Sequence, residues 1–345
     1  MSFIHLHTAS AFSLKYGTTQ PADLVERASQ LEAPALALTD RDGLLGAIRF
    51  TKACLQYGIA PIIGVNLAIN LQKSRIADNK KLPRLTLIAG SDGGWRDLVR
   101  LMSSLNLSGN LSGGAPVLTL DFLERFSQYT QNLYVLHGLD SPLAPAIAAH
   151  RNDSALAVFN KTRDFFKAHA IECVSHLAKG DGPGSITHAG RSLIFARDND
   201  IDAVITNAVR MRGPEDGPVA DILDCARQLV PLHPRHIGRT NAEAYLKSTP
   251  VMHALADEIA RAGGERNARA LLSTTRAWAE QTLLSPTRDI GLGSIHLPEA
   301  HVVGADSPAG MRTLLRARSE AGINWRYNDG ATIAKARARL DDELA

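Results

Sequence analysis

The sequence predicts an α/β fold: a closed or nearly closed barrel of seven strand–helix units over residues 1–212, followed by a helical extension over 213–345. Three observations predict it. Short apolar runs alternate with amphipathic stretches through the first 210 residues, the pattern of βαβ units and a parallel sheet. Seven such units suit a barrel better than an open three-layer sheet. The polar residues at the ends of the runs (His5, His7, Asp40, Asn66, His137, Ser175, His176 and Asn207) fall where barrels carry function, at strand C-termini.

The elements follow in order. Residues 2–6 read as a strand, and 21–31 as a helix with Thr19 or Gln20 near its cap and Pro21 at its first position. The run PALALT (34–39) is a strand buried on both faces. Residues 42–57 are a helix closed by Gly58. Residues 60–69 and 85–89 are strands, with a helix over 95–105 after the second. Strand 133–137 follows, then helix 155–169 into strand 171–175, then helix 187–198 into strand 203–206. Beyond Met211 the strands stop. Residues 214–230, 241–246, 251–261, 268–284, 307–320 and 331–344 read as helices, with one extended piece at 291–298. Loops are expected at 70–83, 108–116 and 180–185.

Composition bounds the function. The chain has 345 residues, 45% hydrophobic and 21% charged, which excludes extensive disorder. No apolar run reaches the roughly 18 residues of a membrane span, and the N-terminus lacks the basic and apolar regions of a signal peptide. Cys54, Cys173 and Cys225 are far apart and odd in number, so they read as reduced thiols of a cytoplasmic protein. A net charge of +3 permits nucleic-acid contact without demanding it. A local patch at Arg312, Arg316, Arg318 and Arg326 reads first as an exposed amphipathic helix.

Three constellations could carry chemistry. His5-Leu6-His7 places two imidazoles two residues apart, on one face of a regular strand, where they can share a metal ion. The plain reading is a pair of strand-end histidines bonded to backbone. Thr39-Asp40-Arg41-Asp42-Gly43 follows a buried strand: Asp40 is assigned to the barrel mouth and Asp42 to a helix cap. In Glu172-Cys173-Val174-Ser175-His176, Glu172, Val174 and His176 share a face and His176 can reach the same mouth, although a solvated loop histidine explains it as well. The glycines at 180–184 lack the Walker pattern, and no G-x-S-x-G elbow is present.

The stretches FIHLHTASAFSLKYGTTQPADLVERA, PALALTDRDGLLGAIRFTKACLQYGIAPIIGV, VITNAVRMRGPEDGPVADILDCARQ and TNAEAYLKST resemble the PHP domain at the N-terminus of bacterial DNA polymerase III alpha subunits, in particular the error-prone branch of actinobacterial type. The resemblance spreads over roughly the first 250 residues and implies a distorted seven-stranded (β/α) barrel. It also implies a cluster of up to three metal ions with phosphoesterase or proofreading exonuclease activity, in a setting of DNA replication, repair and translesion synthesis.

Carried over residue by residue, the family's metal set is incomplete. His5, His7 and Asp40 are kept, and His176 matches a further histidine. Arg41 stands for the histidine of Thr-Asp-His, Asn66 for a glutamate, and Ala208 and Arg210 for the aspartate and histidine of the last barrel motif. Arginine cannot deprotonate to bind a metal. The leading expectation is a non-catalytic module with a vestigial, metal-free site, in which Arg41 or Arg210 pairs with Asp40. The alternative is a metal-dependent phosphoesterase or 3′–5′ exonuclease using His5, His7, Asp40 and His176 with one Zn or Mn ion. The resemblance further implies that this chain ends near the start of a polymerase palm and contains none of it. Expected partners are other polymerase subunits or a separate palm-containing chain, with nucleic acid bound only weakly or indirectly and no membrane.

Overall fold

A computed structural model describes residues 2–72, 82–109, 111–112, 114–295 and 299–345. Among these the chain forms eight strands: β1 (Ala35–Arg41), β2 (Ala60–Asn70), β3 (Arg84–Ala89), β4 (Leu111–Ser112), β5 (Ala115–Thr119), β6 (Leu133–His137), β7 (Ala168–Cys173) and β8 (Asp202–Ile205). Six helices accompany the strands: α1 (Pro21–Gln30), α2 (Ala47–Tyr57), α3 (Gly94–Leu107), α4 (Leu120–Arg125), α5 (Ala144–Ala148) and α6 (Asn152–Phe159). Six more follow: α7 (Ile186–Asp198), α8 (Gly217–Gln228), α9 (Thr249–Ala262), α10 (Arg269–Gln281), α11 (Pro308–Arg326) and α12 (Gly330–Leu344).

The barrel wall is a ring of seven. Residues 5–9 sit between β1 and residues 207–209, held by single bridges from His5 to Leu36 and from Thr8 to Val209. The N–H groups of Ala37 and Thr39 donate to the carbonyls of His5 and Thr8, and that of Val209 donates to His7. From there the wall runs β1, β2, β3, β6, β7, β8 and back. β5 joins the end of β2 outside the ring, and β4 pairs with β5.

The wall is not all parallel, as the strand–helix alternation implied: β3 runs antiparallel to both β2 and β6. A parallel crossover needs a dozen or more residues and usually a helix. The connection 71–83 is at that minimum, so reversal is the simpler closure. Most of the loop expected at 70–83 lies outside the described residues, and Asn70 itself ends β2.

Apolar side chains fill the barrel and coat it. Ile4, Leu6, Ala37, Ile62, Ile88, Leu136, Ala170 and Val204 meet inside. Outside, α1 buries Leu24, Val25 and Ala28, and α2 buries Phe50, Ala53 and Cys54, against outward residues of β1 and β2. α1 has Gln20 at its cap and Pro21 behind it, as expected, and α2 ends on left-handed Gly58 (φ 68°). α2 begins at Ala47 with Gly46 at its cap, not at residue 42. Asp42 cannot cap it, because Asp42 holds a left-handed φ of 62° and gives its carboxylate to Arg84. The helix expected at 155–169 stops at Phe159, and β7 begins at Ala168. No helix forms at 241–246, where Tyr245 instead bridges Met211. The loop expected at 108–116 contains β4 and the start of β5. In the piece expected to be extended at 291–298, residues 291–295 form no strand and 296–298 lie outside the described residues.

The first compact unit runs to Leu292, so the expected division at 212/213 falls inside it. The reason is packing. α9 lies on α7, where Gly190 lets the helices approach: a Cβ there would stand 2.7 Å from the Ala262 carbonyl carbon. α10 plugs the bottom of the barrel. Its Trp278 is 2% exposed, meets the Tyr134 ring edge-on at 5.2 Å and donates from Nε1 to Asp202 (2.7 Å). Thr275 Oγ1 on the same helix accepts from Ile205 N–H (2.9 Å).

The second unit, residues 293–345, consists of α11 and α12 with a short helical turn at Ala300–Val303. Neither helix buries a residue. Arg316 and Asp341 pair at 2.5 Å, and Arg337 and Glu320 at 2.9 Å, so Asp341 lies on a solvated face. No described helix is long and apolar enough to cross a membrane.

Candidate functional site

The strand C-termini, together with the start of the reversed β3, surround a cavity of about 900 Å³ at the barrel mouth. His7, Arg41, Asn66, His176, Ala208 and Arg210 all line it, so six of the eight positions matched to the family's metal set come together, whereas the strand-end residues His137, Ser175 and Asn207 do not line it. His5 and Asp40 do not line it.

His5 and His7 do not share a face. Leu6 points into the barrel, and His5 points away from it: its Nε2 meets the Lys247 carbonyl at 2.9 Å while Nδ1 is buried without a partner among the described residues. The alternation rule needs a regular strand, and this segment is held only by isolated bridges. Burial pushes the His5 imidazole down to about 4. The unfolded chain takes up this proton near pH 6.5, whereas the fold resists it until about pH 4. Stability therefore falls as pH drops through that window, by about 3 kcal/mol from this group. Buried His137 and half-buried His176, both lowered by desolvation, act in the same direction. Urea midpoints measured from pH 7 to 4.5 should fall steadily, and His5→Gln should flatten the slope; an unchanged slope would refute the assignment.

Asp40 is buried, and its partners are hydroxyls rather than an arginine. It accepts from Ser10 N–H (2.6 Å), Ser10 Oγ and Ser13 Oγ (2.7 Å). Burial raises its carboxyl above the usual range, opposed by these hydrogen bonds. The expected pairing with Arg41 or Arg210 is not made, because both guanidiniums are drawn to the Tyr16 ring, at 3.4 and 4.3 Å from its centroid. Arg41 pairs with Asp140 (3.0 Å), and Arg210 forks onto Asp224 (2.9 and 3.0 Å).

The replaced positions are built into the wall. Asn66 donates to Thr86 Oγ1 (2.9 Å) and accepts from Arg84 Nε (2.5 Å), while Arg84 reaches on to Asp42 (2.6 Å). Reversal of β3 puts Arg84 at the mouth, where a parallel strand would have placed its last residue. Ala208 holds a left-handed φ of 39°.

The main residue missed by sequence reasoning is Glu172, noted there only for its face. It is 3% exposed, accepts from Thr206 Oγ1, and meets His7 Nδ1 at 2.8 Å. Its Oε2 has no hydrogen-bond partner among the described residues. Gly138 makes room for it, since a Cβ at that position would lie 2.0 Å from Oε2. A carboxylate inside the apolar strand AHAIEC was the available signal. His176 Nε2 meets the Asn207 carbonyl at 2.8 Å. Tyr16, Asp140, Arg227 and Arg239 also line the mouth and carried no sequence signal of their own.

A ring of seven strands with polar strand ends around one mouth is the architecture of a strand–helix barrel with its site at one rim, and a family model matches it. Residues 5–176, about half of the chain, match the PHP domain, and the N-terminal part of this protein is a PHP domain. Its relatives are polymerases. It is 34% identical over 136 residues to the DNA polymerase III subunit alpha of Buchnera aphidicola, covering 39% of this chain and 11% of that protein. It is 36% identical over 121 residues to the error-prone DNA polymerase of Mycolicibacterium paratuberculosis, covering 35% and 11%. With the error-prone DNA polymerase of Symbiobacterium thermophilum it shares 29% identity over 265 residues, 73% of this chain and 23% of that protein. The matched region thus spans between a tenth and a quarter of these relatives' length. Among solved structures, an amidohydrolase from Chromobacterium violaceum matches with a TM-score of 0.39 and 13% identity, over 61% of this chain and 88% of that one.

Proposed function

We infer that this chain is a non-catalytic PHP module of a DNA polymerase III alpha-like protein, a scaffold or partner surface in DNA replication or repair whose metal centre has been dismantled. One observation carries the reading. At the mouth, two guanidiniums (Arg41, Arg210), an amide (Asn66) and a methyl group (Ala208) stand where the family resemblance calls for metal ligands. Among the described residues no three His, Cys, Asp or Glu side chains group as a metal set. The donors of the one-ion alternative are dispersed, with His5 turned to Lys247 and Asp40 to two serines. The fit to a resident divalent ion is therefore poor. The partners this reading calls for are other polymerase subunits or a separate palm-containing chain, in the cytoplasm.

Metal content tests it. Dialysed protein should carry less than one Zn²⁺ or Mn²⁺ per chain, and its melting temperature should not respond to about 1 mM Mn²⁺ or to EDTA. A variant with Arg41→His, Asn66→Glu, Ala208→Asp and Arg210→His should become metal-responsive, because a ligand bound only by the folded state stabilises it by about 2.7 kcal/mol at 100 times its Kd. Two or more ions in the parent protein would overturn the reading.

A further inference from the structure

The guanidiniums of the mouth are not equally engaged. Arg210 engages all three of its nitrogens, with Nη1 and Nη2 on Asp224 and with Nε and Nη2 on the Tyr16 carbonyl. Arg41 and Arg227 each commit one nitrogen, Nη2 to Asp140 (3.0 Å) and Nη2 to Asp224 (2.6 Å). Their other N–H groups have no protein partner among the described residues, and both side chains line the cavity. Tyr16 gathers all three cations: its ring centroid lies 3.4 Å from Arg41, 4.3 Å from Arg210 and 5.6 Å from Arg227.

Around that ring, Arg210 and Arg227 share the single carboxylate of Asp224. The crowding is felt at Arg227. Burial lowers its pKa first, Asp224 opposes this, and repulsion from Arg41 and Arg210 lowers it further. A concave, partly desolvated site with guanidiniums in excess concentrates anions. Guanidinium forks match the oxygens of a phosphate in two parallel hydrogen bonds. The cavity, at about 900 Å³, has room for the molecule that carries the phosphate.

We propose that the barrel mouth binds a phosphate group directly on Arg41 and Arg227, with no metal ion between. The site's electrostatic preference is then inverted, from holding cations to holding an anion. This rests on the reading that the metal centre is dismantled, and the test separates the two. Binding is measured by calorimetry and thermal unfolding of the full chain in EDTA, and again with Mn²⁺ in its place. The probes are inorganic phosphate, a 5′-phosphorylated oligothymidylate and the same oligonucleotide without its phosphate.

Phosphate at about 10 mM should raise the melting temperature beyond KCl of matched ionic strength. Arg227→Gln, whose side chain is 38% exposed, should fold normally and weaken binding about tenfold, and Arg41→Gln should do the same. Equal affinity for phosphate and the phosphorylated strand supports the site with the free anion as ligand; an oligonucleotide preference that vanishes without the terminal phosphate supports it with a strand end as ligand. No thermal response to either phosphate probe, or full affinity in both variants, overturns the proposal and leaves the metal reading standing. Phosphate binding that appears only with Mn²⁺ overturns both.

Discussion

Trp278→Ala should destabilise the protein by about 3–5 kcal/mol, the range for deleting a large buried aromatic side chain. The indole is buried beneath the barrel, stacks edge-on against Tyr134 at the start of β6, and gives its N–H to Asp202 at the start of β8. Removing it opens a void at the barrel base and leaves Asp202 without that donor. Trp325→Ala is the control: that side chain is 83% exposed on α11 and should cost no more than about 0.5 kcal/mol. Urea unfolding of both variants decides the matter. Equal midpoints would mean that α10 is not the floor of the barrel. By the same reasoning a chain cut at residue 212 should not fold, since it keeps the wall and loses the plug.

Asp40→Ala is expected to cost about 3 kcal/mol. The carboxylate collects the Ser10 N–H and the hydroxyls of Ser10 and Ser13, and these tie the 10–13 turn to the end of β1. With the acceptor gone, each buried donor left unsatisfied costs about 1–3 kcal/mol. Asp40→Asn keeps one acceptor oxygen and should fall between the parent and the alanine variant. A loss below about 1 kcal/mol for Asp40→Ala would show that the turn finds other partners. This result differs in kind from a broken ion pair, because it should persist at high salt.

Much of the architecture was legible in the sequence because apolar runs mark wall strands directly. The runs at 34–39, 60–69, 85–89 and 133–137 fall on β1, β2, β3 and β6. Strand direction was not legible, since hydrophobic periodicity is the same read either way, and so β3 was expected to run parallel. The convergence of His7, Arg41, Asn66, His176, Ala208 and Arg210 on one mouth could be anticipated because strand ends share a rim. Side-chain pairing could not. Arg41 and Arg210 chose Tyr16, Asp140 and Asp224 over Asp40, a competition settled by loops and by α8, whose placement no local pattern encodes. His5 misled because an isolated bridge does not enforce the alternation that a ladder would.

The wedging of residues 5–9 between β1 and residues 207–209 sets a clock on biosynthesis. The segment leaves the ribosome before either of its neighbours in the wall, and one of them follows about 200 residues later in sequence. At about 5–20 residues per second, translation takes about 10–40 s to deliver that neighbour. Throughout that interval one flank of the segment has nothing to pair with, and Phe3, Ile4 and Leu6 lack part of their final cover. Closure of the wall thus waits on residues 207–209, and until they emerge the 3–9 segment stays open to chaperones and proteases.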